Sequence, residues 1–162
     1  VVAMRRACAN VSGIIFQYPF YAGIMGIMTY SGLGAAVSEW IVSHASVATL
    51  PVLAQFAGAL VNFAIPSAGG EWAVIGPSIA QAAQTMALEA GLSPDALLSR
   101  VALAVADGET STNLLQPFYL LIILPVMGAG VRIQARDVVG HLVLPFVCTY
   151  TLTALLVSFV PL

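Results

Sequence analysis

Three acidic residues interrupt apolar stretches of this sequence: Glu71, Asp107 and Glu109. A carboxylate within the hydrocarbon region of a membrane costs on the order of 3 kcal/mol on insertion scales, so such residues are functional candidates. A buried carboxyl group can carry a proton when neutral and can bind a small cation when ionised. We therefore expect these acids to bind H⁺ or Na⁺. In the alternative, they lie near the membrane surface and are merely solvated.

The acids lie in two polar, glycine-containing stretches, Pro66–Gly76 and Asp107–Asn113. Non-helical backbone at membrane depth is tolerated only where protein buries it or where it lines a water-filled cavity. Helices starting near Pro77 and Asn113 would direct N–H groups at an anion such as a carboxylate. Helices ending near Ile65 and Ala106 would direct carbonyl oxygens at a cation. Two interrupted helices of this kind are typical of secondary-transporter sites.

Polar side chains beside these interruptions complete the candidate site. Hydroxyl and amide groups there either cap the next helix or contact a ligand, and both alternatives stay open. The candidate substrate- and ion-binding residues are Asn62, Pro66, Ser67, Gly69, Gly70, Glu71, Trp72, Gly76, Asp107, Gly108, Glu109, Ser111, Thr112, Asn113 and Gln116.

The composition excludes several classes of protein. Of the 162 residues, 60% are hydrophobic and 7% are charged, with a mean hydropathy of +0.98. Soluble domains carry about 25% charged residues, so a soluble globular protein is excluded. The five basic residues and net charge of −2 leave no basic patch for nucleic acid. The two cysteines form no metal-binding motif, so we expect no metal or cofactor beyond the coupling ion. The sequence has neither a phosphate-binding loop nor a hydrolase motif, so we do not expect an enzyme.

Uncharged windows of the length that a transmembrane helix needs predict an all-α integral membrane protein. We predict a single transmembrane domain over residues 1–162, and an amphipathic segment at 33–46. The opening Val1 indicates a fragment of a longer protein, and the first apolar run is too long for a signal peptide. A re-entrant helical hairpin is favoured over two ordinary spans because its second arm is short. The predicted elements are a span at 9–32, hairpin arms at 47–65 and 77–90 with a tip at 66–76, a broken span at 94–106/114–130, and a last span at 138–162.

Two segments, Asn62–Pro77 and Gly108–Phe118, resemble the short-chain fatty acid transporters of the ion-transporter superfamily, and Ala135–Gly140 is a weaker match. Their order and spacing resemble the C-terminal part of that family. The resemblance implies an inverted-repeat fold of which this chain is the second half. It also implies symporter-type uptake of short-chain carboxylates across a bacterial inner membrane, by a multi-pass protein for which the superfamily suggests a homodimer.

This chain departs from the family pattern at several of these positions. Where the family usually has Gly, Gln and Gln, this chain has Ala68, Glu71 and Ile75. Where the family has Asp and a nearby Trp, it has Glu109 and Ser111. Glu71 adds a negative charge at a tip that is expected to approach an anion, so we expect it to be protonated when substrate binds.

Three classes of function follow from these patterns. The leading one is a secondary transporter of small carboxylates, with the lipid bilayer and the substrate as its partners. The second is a structural or channel-like membrane subunit. The third is an intramembrane enzyme with Glu71 and Asp107 as an acid pair, which no additional base or metal ligand accompanies. Gradient-driven accumulation distinguishes the first class from the other two.

Overall fold

The computed structural model describes residues 1–120, 124 and 134–159. The described regular structure is entirely helical, which confirms the all-α prediction for these residues. The six longer helices, in chain order, are α1 (Val2–Tyr30), α2 (Leu33–His44), α3 (Leu50–Asn62), α4 (Ala68–Glu89), α5 (Pro94–Thr112) and α6 (Ala135–Phe159).

Local sequence explains where several helices begin and end. Gly32 precedes α2 with φ of +77°, and Gly91 follows α4 with φ of +67°, a conformation that favours glycine. Ser93 caps α5 by accepting a hydrogen bond from the Ala96 N–H at 3.4 Å, and Pro94 occupies the first helical position. This is the helix start that Ser-Pro-Asp predicts.

The predicted non-helical tip at 66–76 was wrong over most of its length. Helix α4 already begins at Ala68 and continues through Pro77. Ser67 caps it by accepting from the Gly70 N–H at 3.4 Å, which places the glycines in the first turn, where their low helix propensity matters least. The connection between α3 and α4 is therefore the short segment 63–67.

The second interruption lies later than predicted. Helix α5 includes Asp107–Thr112, and the chain leaves the helix at 113–116 before a helical turn at 117–120. Tertiary packing holds Gly108 in the helix, because a Cβ there would meet the Gln55 carbonyl oxygen and would lie 2.8 Å from the Ala59 nitrogen of α3. Of the predicted second arm at 114–130, residues 121–123 and 125–130 lie outside the described residues.

Helices α3 and α5 form the tightest crossing in the described part of the fold. Small residues line it with the same four-residue spacing on each helix, as Ala54 and Gly58 on α3 and as Ala104 and Gly108 on α5. Such spacing allows two backbones to approach closely in lipid. Helix α4 packs against α5, and α2 packs against α4. The largest fully buried apolar side chains of this core are Ile41, Leu50, Ile75, Ile79 and Leu97.

Helix α6 has the length and composition of a membrane span. It has 25 residues with a mean hydropathy of 2.0, and 6% of its most apolar window is buried. The predicted last span at 138–162 coincides with it up to residue 159, and 160–162 lie outside the described residues. The segments Tyr18–Tyr30 and Leu33–His44 have the composition of a span when taken together, with a 55° bend between them.

Candidate substrate and ion site

The side-chain amide of Asn62 joins the end of α3 to the end of α5. Asn62 is the last residue of α3 and is fully buried at 0% exposure. Its Nδ2 donates to the Glu109 carbonyl oxygen at 3.1 Å and to Thr112 Oγ1 at 2.8 Å. The same nitrogen lies 2.8 Å from Asn113 Oδ1, an acceptor on the residue that ends α5. The Asn62 side chain, which belongs to α3, thereby caps the C-terminal end of α5.

Gln116 makes the reciprocal connection. Its Nε2 donates to the Asn62 carbonyl oxygen at 2.6 Å, and its Oε1 accepts from the Phe118 N–H at 3.3 Å. The last carbonyls of a helix lack partners within that helix, so a side-chain amide satisfies a group that would otherwise be buried unpaired. The C-terminal ends of α3 and α5 are therefore held together by side chains that the sequence places beside the two interruptions.

Glu71 is buried in the interface of α3, α4 and α5. It lies in the first turn of α4 and is 1% exposed. Its Oε1 is 2.9 Å from the point where a Cβ on Gly58 would stand, and the Val105 carbonyl oxygen lies closer still to that point. Neither carboxyl oxygen of Glu71 has a hydrogen-bond partner among the described residues. The missing side chain of Gly58 leaves the space in which the Glu71 carboxyl group lies.

The other two acids differ in their surroundings. Glu109 is buried at 8% exposure, and its backbone oxygen belongs to the Asn62 contacts. Asp107 is half-buried. Ser111 is buried on α5, one residue before the Thr112 that contacts Asn62. The structure therefore brings Glu71 and Glu109 into the helix interface and leaves Asp107 nearer to its edge.

A cavity of about 280 Å³ lies beside the N-terminus of α4. The cavity is mostly apolar, with the hydroxyl of Ser67 and the phenol of Tyr18 as its polar side chains. Its described lining residues are Tyr18, Ala22, Met25, Ile65, Pro66, Ser67 and Phe118. The ring centroids of Tyr18 and Phe118 lie 6.2 Å apart in an edge-on arrangement.

The first turn of α4 directly follows Ser67, the last residue of this segment that lines the cavity. Ser67 accepts from Gly70, and the Glu71 N–H donates to the Ser67 carbonyl oxygen at 2.8 Å. The N–H groups of Ala68 and Gly69 make no hydrogen bond to the described residues. Unpaired N–H groups at a helix N-terminus favour an anion, so this end of the cavity suits a carboxylate.

Trp72 and Gly76 are placed together but away from the cavity lining. The indole ring of Trp72 lies along α4 over Gly76, where a Cβ would be 2.5 Å from the ring. Trp72 remains 37% exposed. Gly69 and Gly70, two other glycines of the predicted site, differ in the space around them. A Cβ on Gly69 would meet nothing within 4 Å, whereas a Cβ on Gly70 would crowd Ile65 and Met25.

Sequence reasoning missed four residues that matter here: Gly58, Tyr18, Met25 and the carbonyl of Val105. The paired four-residue spacing of small residues on α3 and α5 was a signal for Gly58. No pattern in the sequence pointed to Tyr18 or Met25, because their role depends on how α1 packs near the start of α4.

Comparisons with known proteins agree with the resemblance found in the sequence. Residues 1–160 match the family described as Short chain fatty acid transporter. The chain is 39% identical over 156 residues to a protein of Escherichia coli (strain K12), covering 96% of this chain and 31% of that protein. It is 38% identical over 138 residues to a protein of Haemophilus influenzae (strain ATCC 51907 / DSM 11121 / KW20 / Rd), covering 85% of this chain and 28% of that protein. Both proteins carry the name "Putative short-chain fatty acid transporter".

This chain thus spans less than a third of the length of these two relatives. No solved structure matches it significantly. The family is one of transporters and not of enzymes, which implies a membrane protein, and α6 is long and apolar enough to span the bilayer. With nearly all of its residues matched, the chain belongs to the short-chain fatty acid transporter family.

Proposed function

We propose that this chain is the C-terminal part of a secondary transporter that moves short-chain carboxylates across the bacterial inner membrane by symport with H⁺ or Na⁺. The observation that carries the proposal is the cavity beside the N-terminus of α4. Its walls are mostly apolar, and the N–H groups of Ala68 and Gly69 directly follow its lining residue Ser67 in the chain. A short-chain fatty acid likewise combines an apolar tail with a carboxylate.

The substrate would lie with its carboxylate at Ala68 and Gly69 and its tail against the rings of Tyr18 and Phe118. The N–H groups and the helix dipole favour the negative charge, while the aromatic rings remove the tail from water. A cavity of about 280 Å³ accommodates a small acid of this kind. The Ser67 hydroxyl stands between the two regions and can donate to the carboxylate.

The contacts of Asn62 and Gln116 support a site shared by two interrupted helices. Polar residues stand at the ends of α3 and α5, Asn62 on one and Thr112 with Asn113 on the other, and the two ends are joined through side-chain amides. In membrane transporters, interrupted helices of this kind surround substrate and ion near the midplane of the bilayer. We propose accordingly that α3 and α4 form a re-entrant hairpin within a multi-pass inverted repeat, and that the full protein is a homodimer.

The proposal is tested with the full-length protein that contains this chain, reconstituted in proteoliposomes. Labelled butyrate uptake is followed under an imposed pH gradient and, separately, under an imposed Na⁺ gradient. Accumulation under either gradient is expected for a symporter and identifies the ion. Gradient-independent equilibration would instead favour the channel-like subunit, and absence of uptake by folded protein would contradict the proposal.

A second set of uptake measurements, on two variants, tests whether the substrate binds in the cavity. Ala22→Trp places a large ring in the cavity and is expected to abolish uptake, because Ala22 lines it. The matched control is Ala48→Trp, at an exposed position outside the cavity lining, which is expected to leave uptake near the wild-type rate. Equal uptake by both variants would show that the substrate lies elsewhere.

A further inference from the structure

Buried oxygen atoms without partners are concentrated on α3 and α4. Four buried side-chain atoms lack a hydrogen-bond partner among the described residues: Gln55 Oε1, Asn62 Oδ1, Glu71 Oε1 and Glu71 Oε2. All four are acceptors, and no buried side-chain donor is left unpaired in the same part of the structure. Buried polar groups are normally satisfied, so this set lacks a positively charged or hydrogen-donating partner.

The orientation of the Asn62 amide is fixed by its own contacts. Its Nδ2 faces the Glu109 carbonyl oxygen, which accepts and cannot donate. Exchanging the nitrogen and oxygen of this amide would set two acceptors against each other, so Oδ1 is the atom that remains unpaired. The same argument applies to Gln55, whose Nε2 donates to the Tyr150 carbonyl oxygen at 3.2 Å.

The Glu71 carboxyl group and the Asn62 amide lie at successive turns along one face of α3. Gly58, beside which the Glu71 carboxyl group lies, is one helical turn before Asn62 on the same face of α3. The Asn62 amide meets the Glu109 carbonyl oxygen, one turn of α5 beyond the Val105 carbonyl oxygen. The Val105 carbonyl oxygen and the Glu71 carboxyl group both lie beside Gly58.

From this arrangement we infer that the Glu71 carboxylate, with the Val105 carbonyl oxygen beside it and the Asn62 amide oxygen one turn further along α3, forms the binding site of a small monovalent cation, Na⁺ or H⁺. The cation neutralises the buried carboxylate, which has no ion pair with a described residue. Oxygen atoms from a carboxylate, an amide and a backbone carbonyl are the ligands that hard cations take. This inference rests on the proposed function, because it identifies the site of the coupling ion.

The ion site is distinct from the cavity proposed for the substrate. Glu71 is not among the residues that line the cavity. Ser67 faces the cavity from the start of α4, while Glu71, one turn later, lies against Gly58 on α3. The same helical turn therefore contacts both sites, which gives ion and substrate a direct route to influence each other.

Few other ionisable groups surround Glu71 in the described structure. Helix α3 has no ionisable side chain in its sequence. Helix α5 contributes the buried Glu109, whose negative charge acts on Glu71, and the half-buried Asp107. Helix α2 carries Glu39 and His44, both exposed. Helix α1, which touches α4, carries Arg5, Tyr18 and Tyr30 with exposed side chains.

Cation binding is measured on the purified full-length protein by thermal unfolding, independently of transport. In one arm, NaCl replaces choline chloride at constant ionic strength and constant pH. In the other, pH is lowered in choline chloride without Na⁺. A ligand that binds only the folded state raises the unfolding temperature. Stabilisation by Na⁺ identifies a Na⁺ site, and stabilisation by low pH alone identifies a proton site.

Glu71→Gln is expected to abolish whichever response the wild-type protein shows. This variant removes the charge that requires a cation and keeps the size of the side chain, so it is expected to fold. Glu89→Gln, at an exposed position on the same helix, is the matched control and is expected to keep the response. Gly58→Ala is a second variant that crowds the Glu71 carboxyl group, and because its Cβ would also meet the Val105 backbone carbonyl oxygen, its unfolding temperature without Na⁺ is compared with wild type before its response is read.

The outcomes separate this inference from the proposed function. If neither Na⁺ nor pH stabilises the wild-type protein, or if Glu71→Gln responds as wild type does, the cation site is contradicted even where butyrate uptake persists. If the response is present and lost in Glu71→Gln while no carboxylate accumulates under any gradient, the cation site stands and the transport proposal fails.

Discussion

The Asn62 side chain donates to the Asn113 side chain over 2.8 Å, and this contact joins the last residue of α3 to the residue that ends α5. The whole of α4 and α5 lies between the two residues in sequence. Their contact means that neither helix end can shift without affecting the other. Since α4 begins six residues after Asn62, the cavity at its N-terminus is tied to the same junction.

Removing this amide is predicted to destabilise the protein. Asn62→Ala would remove the buried contacts of its amide with the Glu109 carbonyl oxygen, Thr112 Oγ1 and Asn113 Oδ1, at a cost of about 1–3 kcal/mol. The free energy of unfolding, measured with denaturant in detergent, is expected to fall by about that amount. Gln84→Ala, at an exposed amide on α4, is the control and should lie within about 0.5 kcal/mol of wild type. Equal losses in both variants would contradict a specific role for Asn62.

The crossing of α3 and α5 is predicted to tolerate no added atom at Gly108. A Cβ there would meet the Gln55 carbonyl oxygen and the Ala59 backbone nitrogen, neither of which can move as a flexible side chain does. Gly108→Ala is expected to cost about 1–3 kcal/mol of unfolding free energy.

Gly69→Ala is the matched control for this crossing, because a Cβ on Gly69 would meet nothing within 4 Å and its φ is not positive. It is expected to be neutral or stabilising by up to about 1 kcal/mol. If Gly69→Ala lowered the unfolding free energy more than Gly108→Ala does, α3 and α5 would not cross at Gly108.

Sequence patterns predicted the helices better than the interruptions. Apolar windows and the Ser93-Pro94-Asp95 signal located α5 and α6, because length and capping are local properties. The glycines and Pro77 suggested a longer tip than exists. Gly108 is helical because α3 packs against it, and Gly69 because Ser67 caps its turn. Neither contact can be predicted from the helix propensities of the residues alone.

The sequence indicated which residues belong to the candidate site better than it indicated how their side chains are arranged. Asn62, Thr112, Asn113 and Gln116 were recognised as polar groups beside two interruptions, and the structure brings them into one set of contacts. Sequence did not indicate that Glu71 lies away from the cavity, because the direction of that side chain depends on the space left by Gly58. Whether these residues bind substrate or ion stays a prediction.

The attachment of α6 to the remaining helices is predicted to depend on Gln55. Its Nε2 donates to Thr153 Oγ1 at 2.7 Å and to the Tyr150 carbonyl oxygen. Thr153→Val keeps the shape of the side chain and removes the hydroxyl acceptor, so the unfolding free energy is expected to fall by about 1 kcal/mol. Thr151→Val, at an exposed position of the same helix, should have no measurable effect. Identical stabilities of the two variants would argue against this contact.

The chain length of the transported acid is predicted to depend on Phe118. Its ring lines the cavity and contacts Tyr18, so Phe118→Leu would lengthen the space available to the apolar tail. Each additional buried CH₂ contributes about 0.8 kcal/mol, which corresponds to about a fourfold change in affinity. The ratio of apparent KM values for hexanoate and butyrate in proteoliposomes is therefore expected to fall in Phe118→Leu. Phe159→Leu, exposed at the end of α6, should leave the ratio unchanged. An unchanged ratio in Phe118→Leu, with uptake intact, would place the substrate tail outside this cavity.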